Sequence, residues 1–348
     1  MQSIRPLISV VIPHLNQPAG LRSCLLSLEA QTLGAESFEV IVVDNGSVSL
    51  PQLGNRNFSI QLLQELTPGP GAARNMGAAR ASGHILAFID ADCRAHRDWL
   101  RIALSEIQSA QARTILGGDL QIWRDSPGAF SAIEAYESVF AYRFQLYIEK
   151  HGYCGTGNLI VRRPDFYEIG LFKGIRFPED LEWGQRARAA GFQFRYVPEM
   201  IVYHPARKTL KELFVKWNRH SHHSLNMAHG QRWWRVKWLG RAIAILLSPA
   251  FDWTKVVASD RLHGTSARLK AIAVLIVTRA YRFANMTRLL FSSEGIIWNR
   301  SRAIEIGDPQ DVFSIAAGEA KQHLQVEAPL LPVVARPKRK LAVAEGQS

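Results

Sequence analysis

Short apolar runs alternate with amphipathic segments through the first 120 residues of the chain. The runs have the length and the β-branched content of buried strands, and they cover residues 7–12, 39–43, 60–63 and 85–89. Between them, apolar residues recur at helical spacing over residues 18–30 and 71–81. This alternation predicts a parallel sheet covered by helices, an architecture typical of proteins that bind nucleotides.

The pattern after residue 90 predicts further elements of the same α/β type. Helical spacing recurs over three segments, residues 98–109, 130–148 and 179–190. Strand-like runs cover residues 114–122 and 159–161 and are followed by two short extended pieces at 194–197 and 200–203. We expect these elements to complete one domain over residues 1–206.

The character of the chain changes beyond Pro205. A helical, basic segment over residues 210–227 is followed by three tryptophans among Arg and Lys in residues 231–238. Two apolar stretches, 242–251 and 271–277, are well short of the roughly 20 residues that a membrane-spanning helix needs. We expect a basic, mainly helical region over residues 207–306 and a mobile tail, rich in polar residues and then in Pro, Ala and Val, over residues 307–348.

Charge is distributed unevenly along the 348 residues. Residues 1–206 carry 19 Lys and Arg against 20 Asp and Glu, whereas residues 207–300 carry 17 against 4, a net charge of +13. The excess predicts a polyanion or an anionic membrane surface as the neighbour of the second part. The overall hydrophobic content of 47% excludes global disorder.

The cysteines and the N-terminus indicate a cellular compartment. The three cysteines are far apart and form no Cys-x-x-Cys pair, which argues against a disulfide framework and a zinc site and fits a reducing environment. No positively charged lead precedes a signal-type apolar stretch at the start of the sequence. We therefore expect a cytoplasmic protein.

Two aspartates one residue apart, Asp90 and Asp92, follow the apolar run at 85–89. Successive side chains of a strand point to opposite faces, so these two carboxylates share one face. The carboxyl ends of the strands form the ligand crevice of an open α/β sheet. Paired carboxylates there suit a hard divalent cation that also holds phosphates. The alternative for an isolated Asp-x-Asp is a surface turn.

Two segments at predicted element ends have the chemistry of a nucleotide site. Asp44 closes a buried strand, where a carboxylate can accept a hydrogen bond from a base or a ribose, although Asp-Asn-Gly is also a good turn. Residues 68–77 form a Gly- and Pro-rich loop that leads into a helix. The free N–H groups of that helix, together with Arg74, suit a diphosphate; the alternative is a surface helix with a packing arginine.

Two later segments have amide and acidic side chains at element starts. Small residues before Asn158 allow close approach of a hydroxyl-rich ligand, although a tight bend before a strand explains them equally well. Glu179, Asp180 and Glu182 begin a helix, where acidic residues suit the helix dipole on structural grounds alone. Functionally, Asp180 can accept a proton from an attacking hydroxyl, but spacing does not decide which of the three acids does so.

Histidines are the remaining candidates. His204 ends the last extended piece, and a lone histidine there packs or caps more often than it binds a metal. The histidines at 220, 222, 223 and 229 match no zinc pattern.

Taken in order, these segments resemble the family-two inverting glycosyltransferases with a GT-A fold. The matching segments within residues 5–206 are VIPHLN at 11–16, VDNGS at 43–47, GAARNMG at 71–77, FIDAD at 88–92, GTGN at 155–158, PEDLE at 178–182 and VYH at 202–204. No single segment is decisive, but their order and spacing are highly specific. The resemblance implies a GT-A fold, which is a Rossmann-like α/β fold with a mostly parallel sheet and helices on both faces. It also implies an enzyme of the hexosyltransferase type and a nucleotide-sugar donor.

The resemblance also implies a role for each matching position. The positions that it assigns to the donor are Pro13, Asn16, Asp44, Arg74, Asn75, Asp90, Asn158 and Glu179. Among these, the resemblance places Asp44 at the base, and Arg74 and Asn75 beside the diphosphate and the ribose. It assigns the binding of a metal ion, Mn²⁺ or Mg²⁺, to Asp92 and His204.

For the chemistry, the resemblance implies a single displacement with inversion. Asp180 takes the proton of the acceptor hydroxyl as the oxygen attacks the anomeric carbon, and the metal and Arg74 stabilise the charge on the departing nucleoside diphosphate. The sequence departs from the family in two places. His14 stands where tyrosine is common, and the Gln-x-x-Arg-Trp motif of processive synthases is missing. We therefore expect addition of a single sugar.

The basic region has the composition of a surface that lies on anionic lipid, with tryptophan at the headgroup level and cations toward the phosphates. We expect a peripheral enzyme on the cytoplasmic face of the inner membrane. Its acceptor would be a glycan or a lipid-linked glycan in exopolysaccharide or cell-envelope assembly. UDP is the expected nucleotide from family frequency alone. The alternative for this region is an ordinary helical subdomain whose apolar runs are core.

Two other classes of function compete with this interpretation. A nucleic-acid-binding protein would use the basic region and its aromatic residues. That hypothesis leaves the first 206 residues unexplained, and we expect no nucleic-acid partner. A nucleotidyltransferase would share the α/β fold, but it gives no reason for the acidic start of the helix at residue 179.

Overall fold

The structure, a computed structural model, describes residues 5–124, 128–174 and 178–291. The predicted tail at 307–348 and residues 292–306 of the basic region lie outside the described residues, as does Phe177 in front of the acidic helix start.

One eight-stranded sheet forms the centre of the described residues. Its strands are β1 (Ile8–His14), β2 (Phe38–Asp44), β3 (Ser59–Gln64), β4 (Ile85–Phe88), β5 (Arg94–Ala95), β6 (Thr114–Trp123), β7 (Leu159–Arg162) and β8 (Gln193–Pro205). Their order across the sheet is β3-β2-β1-β4-β7-β6-β8-β5. The first four strands of that order are parallel, and only β7 and β5 run antiparallel to their neighbours. The predicted mostly parallel sheet is confirmed.

Eleven α-helices accompany this sheet in the described residues. They are α1 (Pro18–Glu29), α2 (Pro70–Arg80), α3 (Trp99–Ser109), α4 (Ala132–Phe140), α5 (Phe144–Leu146), α6 (Arg163–Ile169), α7 (Glu179–Ala189), α8 (Leu210–Ala228), α9 (Trp234–Leu247), α10 (Pro249–Val257) and α11 (Thr265–Phe291). Helices α1–α3 and α5–α7 pack around the sheet, α8–α11 form the basic region, and α4 packs against that region.

The period-two alternation of the central strands builds a core on each face of the sheet. In β1, Val10 and Ile12 point into a core with α1 and α3, whereas Val11 points into a second core with α2, α6 and α7. Neighbouring β2 alternates in the same way, with Val42 on the first face and Val43 on the second. A strand buried on both faces must be apolar throughout, which is why these runs are continuous.

The predicted helix over residues 130–148 is wrong as a single element. The segment begins with a capping box in which Ser131 and Glu134 satisfy each other's backbone N–H groups. It then breaks after Phe140, because Tyr142 adopts a left-handed backbone with φ 49°. There the phenol of Tyr142 is hydrogen-bonded to His204 at 3.0 Å. A short helix and a π-helical turn over Tyr147–His151 follow. Tertiary contacts have overridden the local helical periodicity.

The two extended pieces predicted at 194–197 and 200–203 are one strand, β8. This strand pairs with β6 through residues 193–197 and again through residues 201–205, and the register shifts between Gly118 and Asp119 of β6. A bulge of this kind breaks the alternation of side chains, and the sequence pattern therefore suggested two strands.

The four helices of the basic region pack against one another and against α4. Leu213 of α8 and Leu275 of α11 share a core with Tyr136 and Phe140 of α4. Arg261 also donates a hydrogen bond to Asp119 at 2.6 Å and so ties the region to the sheet. Within the described part of the chain, no helix combines the length and apolarity that crossing a bilayer requires. The domain boundary at residue 206 stays a prediction.

All three cysteines, Cys24, Cys93 and Cys154, are buried and free. Burial raises the pKa of each thiol, and the charges of Asp90 and Asp92 add to this for the first two. The thiols are therefore neutral and poorly reactive in the folded protein.

Candidate active site

The candidate residues gather at the carboxyl ends of the central parallel strands. The last residues of β1 and β2, His14 and Asp44, are register partners, and Asp90 and Asp92 follow directly after β4. Because these three strands are parallel neighbours, their carboxyl ends meet at one edge of the sheet. This edge is where open α/β sheets bind ligands.

Asp44 is a buried carboxylate held by two donors. The Nδ1 atom of His14 lies 2.9 Å from its Oδ1, and the backbone N–H of Ser47 donates to its Oδ2 at 2.9 Å. Burial alone would raise the pKa of Asp44, but the hydrogen bonds from Ser47 and His14 hold it below its ordinary value. Asp44 is therefore ionised at neutral pH. The sequence analysis noted His14 only as a departure from the family pattern and did not predict its hydrogen bond to Asp44.

The loop between β1 and α1 is fastened to the loop after β2. Asn16 has a left-handed backbone with φ 50°; its N–H donates to Ser47 Oγ at 2.8 Å, and its side-chain oxygen accepts from the N–H of Val48 at 3.0 Å. Pro13 lies in β1 opposite Val43. Both predicted donor positions thus lie at the edge that carries Asp44, and their contact with a nucleotide stays a prediction.

Arg74 is buried at the same edge of the sheet and joins two acidic segments. Its guanidinium donates to Asp90 Oδ1 at 2.6 Å and to Glu179 Oε1 at 3.1 Å, with only 3% of the side chain exposed. Gly157 lies against the same aspartate, since a Cβ at that position would come within 3.0 Å of Asp90 Oδ2. Arg74 therefore fixes Asp90 and the start of α7 relative to each other.

Two of the predicted donor residues use their amide groups within the protein. Asn75 exchanges two hydrogen bonds of 2.9 Å with the backbone of Phe172. Asn158 is fully buried; it accepts from the Trp99 indole at 2.9 Å and donates to the carbonyls of Asp119 and Met200 at 2.8 and 2.7 Å. This geometry favours a structural role for both amides, and their assignment to the donor stays a prediction.

Asp92 and His204 form a candidate metal centre. The His204 Nε2 atom lies 3.5 Å from Asp92 Oδ1, and the ligand atoms of Asp92, Cys93 and His204 all lie within 4.8 Å of one another. His204 Nδ1 lies 2.7 Å from the carbonyl of Pro205, which can only accept, so Nδ1 carries the proton and Nε2 offers its lone pair toward Asp92. A carboxylate and a neutral imidazole fit Mn²⁺, whereas the buried thiol of Cys93 is a poor ligand for so hard a cation.

Two side chains that the sequence analysis missed support this centre. Gln17 donates to Asp92 Oδ2 at 3.4 Å, and Tyr142 places its hydroxyl 3.0 Å from His204 Nε2. The hydroxyl of Tyr142 is positioned by the break between α4 and α5. No local sequence signal predicts that break, so Tyr142 could not have been found from periodicity.

A buried charge network lies behind Tyr142. Glu137 of α4 has no exposed surface, yet its carboxylate is paired with Arg207 and lies 3.4 Å from Lys216 Nζ. Burial alone would raise the pKa of Glu137, but Lys216 and Arg207 hold it below its ordinary value. The Lys216 ammonium in turn lies 5.2 Å from the centre of the Tyr142 ring. Glu137 therefore anchors the beginning of the basic region behind the candidate metal centre.

Asp180 has the electrostatics of a proton acceptor. Burial, followed by the neighbouring charge of Glu179, raises the pKa of Asp180 to about 6. The N–H of Leu181 donates to its Oδ1 at 2.8 Å, which leaves the second carboxylate oxygen for another partner. Two stacked tyrosines, Tyr147 and Tyr153, lie close enough for the charge of Asp180 to raise the pKa of each in addition to burial. A carboxyl group that titrates near neutrality is suited to general-base catalysis.

Two series of contacts run along this edge. One joins Asp44, His14, Gln17 and Asp92, and the other joins Asp90, Arg74 and Glu179, which precedes Asp180 in the chain. The predicted acids therefore occupy one edge of the fold. Their individual roles are not tested by this arrangement and stay predictions.

The profile described as "Glycosyl transferase family 2" matches residues 9–170. Glycosyltransferase AglE of Haloferax volcanii is 34% identical over 214 residues, which cover 60% of this chain and 69% of that protein. The amylovoran biosynthesis glycosyltransferase AmsB of Erwinia amylovora is 29% identical over 56% of this chain and 69% of its own length. The chain belongs to glycosyl transferase family 2. It is a glycosyltransferase with a GT-A fold that uses a nucleotide-sugar donor.

A solved structure of low sequence identity also matches most of the chain. The mannosyltransferase PcManGT from Pyrobaculum calidifontis, in complex with GDP-Man and Mn²⁺, is 14% identical, with a TM-score of 0.47 over 92% of this chain and 81% of that one.

Family membership itself settles one alternative raised by the sequence: the nucleotidyltransferase hypothesis is not supported. The expectation of no nucleic-acid partner stays a prediction.

Proposed function

We propose that this glycosyltransferase carries out a metal-dependent, inverting transfer of one sugar from a nucleoside diphosphate to a hydroxyl group. The observation that carries the proposal is the single edge that brings together an ionised carboxylate at Asp44, an acid–imidazole pair at Asp92 and His204, and a carboxyl group of raised pKa at Asp180. These are the groups needed to hold a nucleotide, a divalent cation and an acceptor proton, respectively.

In the proposed mechanism, Asp180 accepts the proton of the acceptor hydroxyl as that oxygen attacks the anomeric carbon. The bond from the anomeric carbon to the diphosphate oxygen breaks, and the nucleoside diphosphate leaves from the opposite face. The pKa of about 6 keeps Asp180 largely ionised at pH 7 while leaving it more basic than an ordinary carboxylate. Glu179 and Arg74 hold the start of α7 in place, and so position Asp180.

Asp92 and His204 are the residues that would hold Mn²⁺ or Mg²⁺. The ion, when bound, would neutralise charge on the leaving diphosphate. The protein's own contribution is the fixed tautomer of His204 and the hydrogen bond from Gln17 to Asp92. The Tyr142 hydroxyl, which lies 3.0 Å from His204 Nε2, would turn away when the ion takes that position. We propose UDP as the nucleotide, with Asp44 on the base; only the frequency of UDP in the family supports that choice.

We propose a glycan or a lipid-linked glycan as the acceptor, with the enzyme peripheral on the cytoplasmic face of the inner membrane. Support comes from the net charge of +13 on residues 207–300. The relative AmsB acts in amylovoran biosynthesis, as its name states, which supports an exopolysaccharide pathway.

The test is a donor screen that measures release of nucleoside diphosphate, with EDTA, with Mn²⁺ and with Mg²⁺. Asp92→Asn and Asp180→Asn should each reduce turnover by on the order of 10²–10⁴-fold. Asp98→Asn is the matched control, because Asp98 sits at the start of α3 and contacts Thr32 and Arg101 instead of the cleft. The anomeric configuration of the product reports the stereochemistry. Full activity in EDTA, or a retained configuration, would refute the proposal.

A further inference from the structure

Helix α9 has apolar side chains on two faces, and the residues that the structure describes cover only one of them. Trp238 and Ala242 are buried against Met286 and Leu289 of α11. A helix that is apolar around most of its circumference belongs in a protein core or in contact with lipid. The second face of α9 therefore needs a partner.

The uncovered face runs along the whole helix. Its side chains recur every three or four residues, as one stripe requires: Val236, Leu239, Ile243, Leu246 and Leu247. They are exposed, Val236 and Leu247 by 65% and 61%. Across Ser248, α10 carries two further exposed aromatic side chains, Phe251 and Trp253, exposed by 77% and 46%. At 1.5 Å per residue, α9 alone makes this stripe about 20 Å long.

Positive charge flanks the stripe. Arg235, Lys237 and Arg241 are exposed on α9. Between residues 229 and 257 the single acidic residue is Asp252, which is buried and lies 2.6 Å from Lys255 and 3.0 Å from Arg279. No acidic side chain of these two helices is therefore left to repel an anionic surface.

We propose that the exposed face of α9 and α10 docks on an anionic lipid bilayer, with α9 lying in the plane of the headgroups. Apolar side chains would enter the interface while arginine and lysine meet lipid phosphates. Charge decides between lipid and a second copy of the chain. A symmetric dimer through this face would bring the same cations of both copies together, whereas an anionic bilayer complements them. The proposal goes beyond the glycosyl transfer and does not depend on it.

Vesicle co-sedimentation of the full chain tests the proposal. The protein should partition into vesicles of phosphatidylcholine with phosphatidylglycerol at low salt, and at least about tenfold less into phosphatidylcholine alone. The double variant Ile243→Ser/Leu247→Ser should lower partitioning into the anionic vesicles by about tenfold or more. The matched control is Leu26→Ser/Leu66→Ser, which changes two leucines of similar exposure, 50% and 70%, in the catalytic part; it should bind as the parent does.

Tryptophan fluorescence supplies a second readout that does not depend on the double variant folding. Lipids brominated near the headgroup should quench the emission, and Trp253→Phe should remove part of that quenching, because this indole is exposed on α10. Absence of binding to anionic vesicles at low salt would overturn the proposal. So would equal binding by the double variant, or a stable dimer that the double variant abolishes. Release of nucleoside diphosphate, measured separately, tests the catalytic proposal alone.

Discussion

Replacing Asp180 with asparagine should make the folded protein more stable while it abolishes transfer. Asparagine is nearly isosteric with aspartate, and its side-chain oxygen can keep the hydrogen bond from the N–H of Leu181. The substitution removes a negative charge that is held in a partly buried position beside Glu179. A charge in such a position destabilises the folded state relative to the unfolded chain.

The magnitude follows from the pKa of Asp180. The fold raises this pKa from its ordinary value of 3.8 to about 6, and at about 1.4 kcal/mol per pH unit the difference amounts to about 3 kcal/mol. Between these two values the folded protein keeps a proton that the unfolded chain has lost. Stability therefore falls as pH rises from about 4 to about 6 and stays lower above it. Asp180→Asn should gain up to about 3 kcal/mol at pH 7 and almost nothing below pH 4.

Denaturant unfolding at pH 4, 5, 6 and 7, in EDTA and without donor, measures this difference. Glu182→Gln is the matched control on the same helix turn. Burial alone would raise the pKa of Glu182, but hydrogen bonds from Arg186 and Lys173 hold it below its ordinary value. Removing that charge should cost stability at pH 7 and progressively less in acid. A variant at position 180 that is no more stable than the parent at pH 7 would refute the reasoning about this carboxyl group.

Three further outcomes are expected. His204→Gln should raise the Mn²⁺ concentration needed for half-maximal activity by about 10- to 100-fold, with kcat largely restored at saturating metal; an unchanged metal requirement would exclude His204 as a ligand. Glu137→Gln should lower the free energy of unfolding by about 3–5 kcal/mol, because Arg207 and Lys216 lose their buried counter-charge, and a loss below 1 kcal/mol in calorimetry or denaturant titration would contradict the network. Asp44→Asn should weaken binding of the nucleoside diphosphate by about tenfold in calorimetry, and unchanged affinity would remove Asp44 from the nucleotide site.

The central sheet could be predicted from the sequence because its strands are buried on both faces. Continuous apolar runs such as 39–43 have few other structural explanations, and their parallel order follows from the helices between them. The grouping of Asp44, Asp90 and Asp92 at one edge then follows from topology. The structure brings Asp180 to the same edge through Arg74 and Glu179, a link across 105 residues that sequence spacing does not reveal.

The parts that could not be predicted depend on contacts between distant segments. The helical periodicity across 130–148 is real, but the hydrogen bond between Tyr142 and His204 breaks the helix. Likewise, Asn158 has the chemistry of a sugar-binding amide. Only the tertiary structure shows that its side chain is hydrogen-bonded to the Trp99 indole and to two backbone carbonyls. A polar residue that binds a ligand and a polar residue that forms hydrogen bonds inside the protein cannot be distinguished from the sequence alone.

The burial of all three cysteines gives the folded enzyme a surface without a native sulfhydryl group. A cysteine introduced at Leu247 would therefore be the single reactive position for a maleimide dye or a nitroxide. One label of this kind would report on the environment of α9 during turnover, without first having to replace Cys93 next to Asp92.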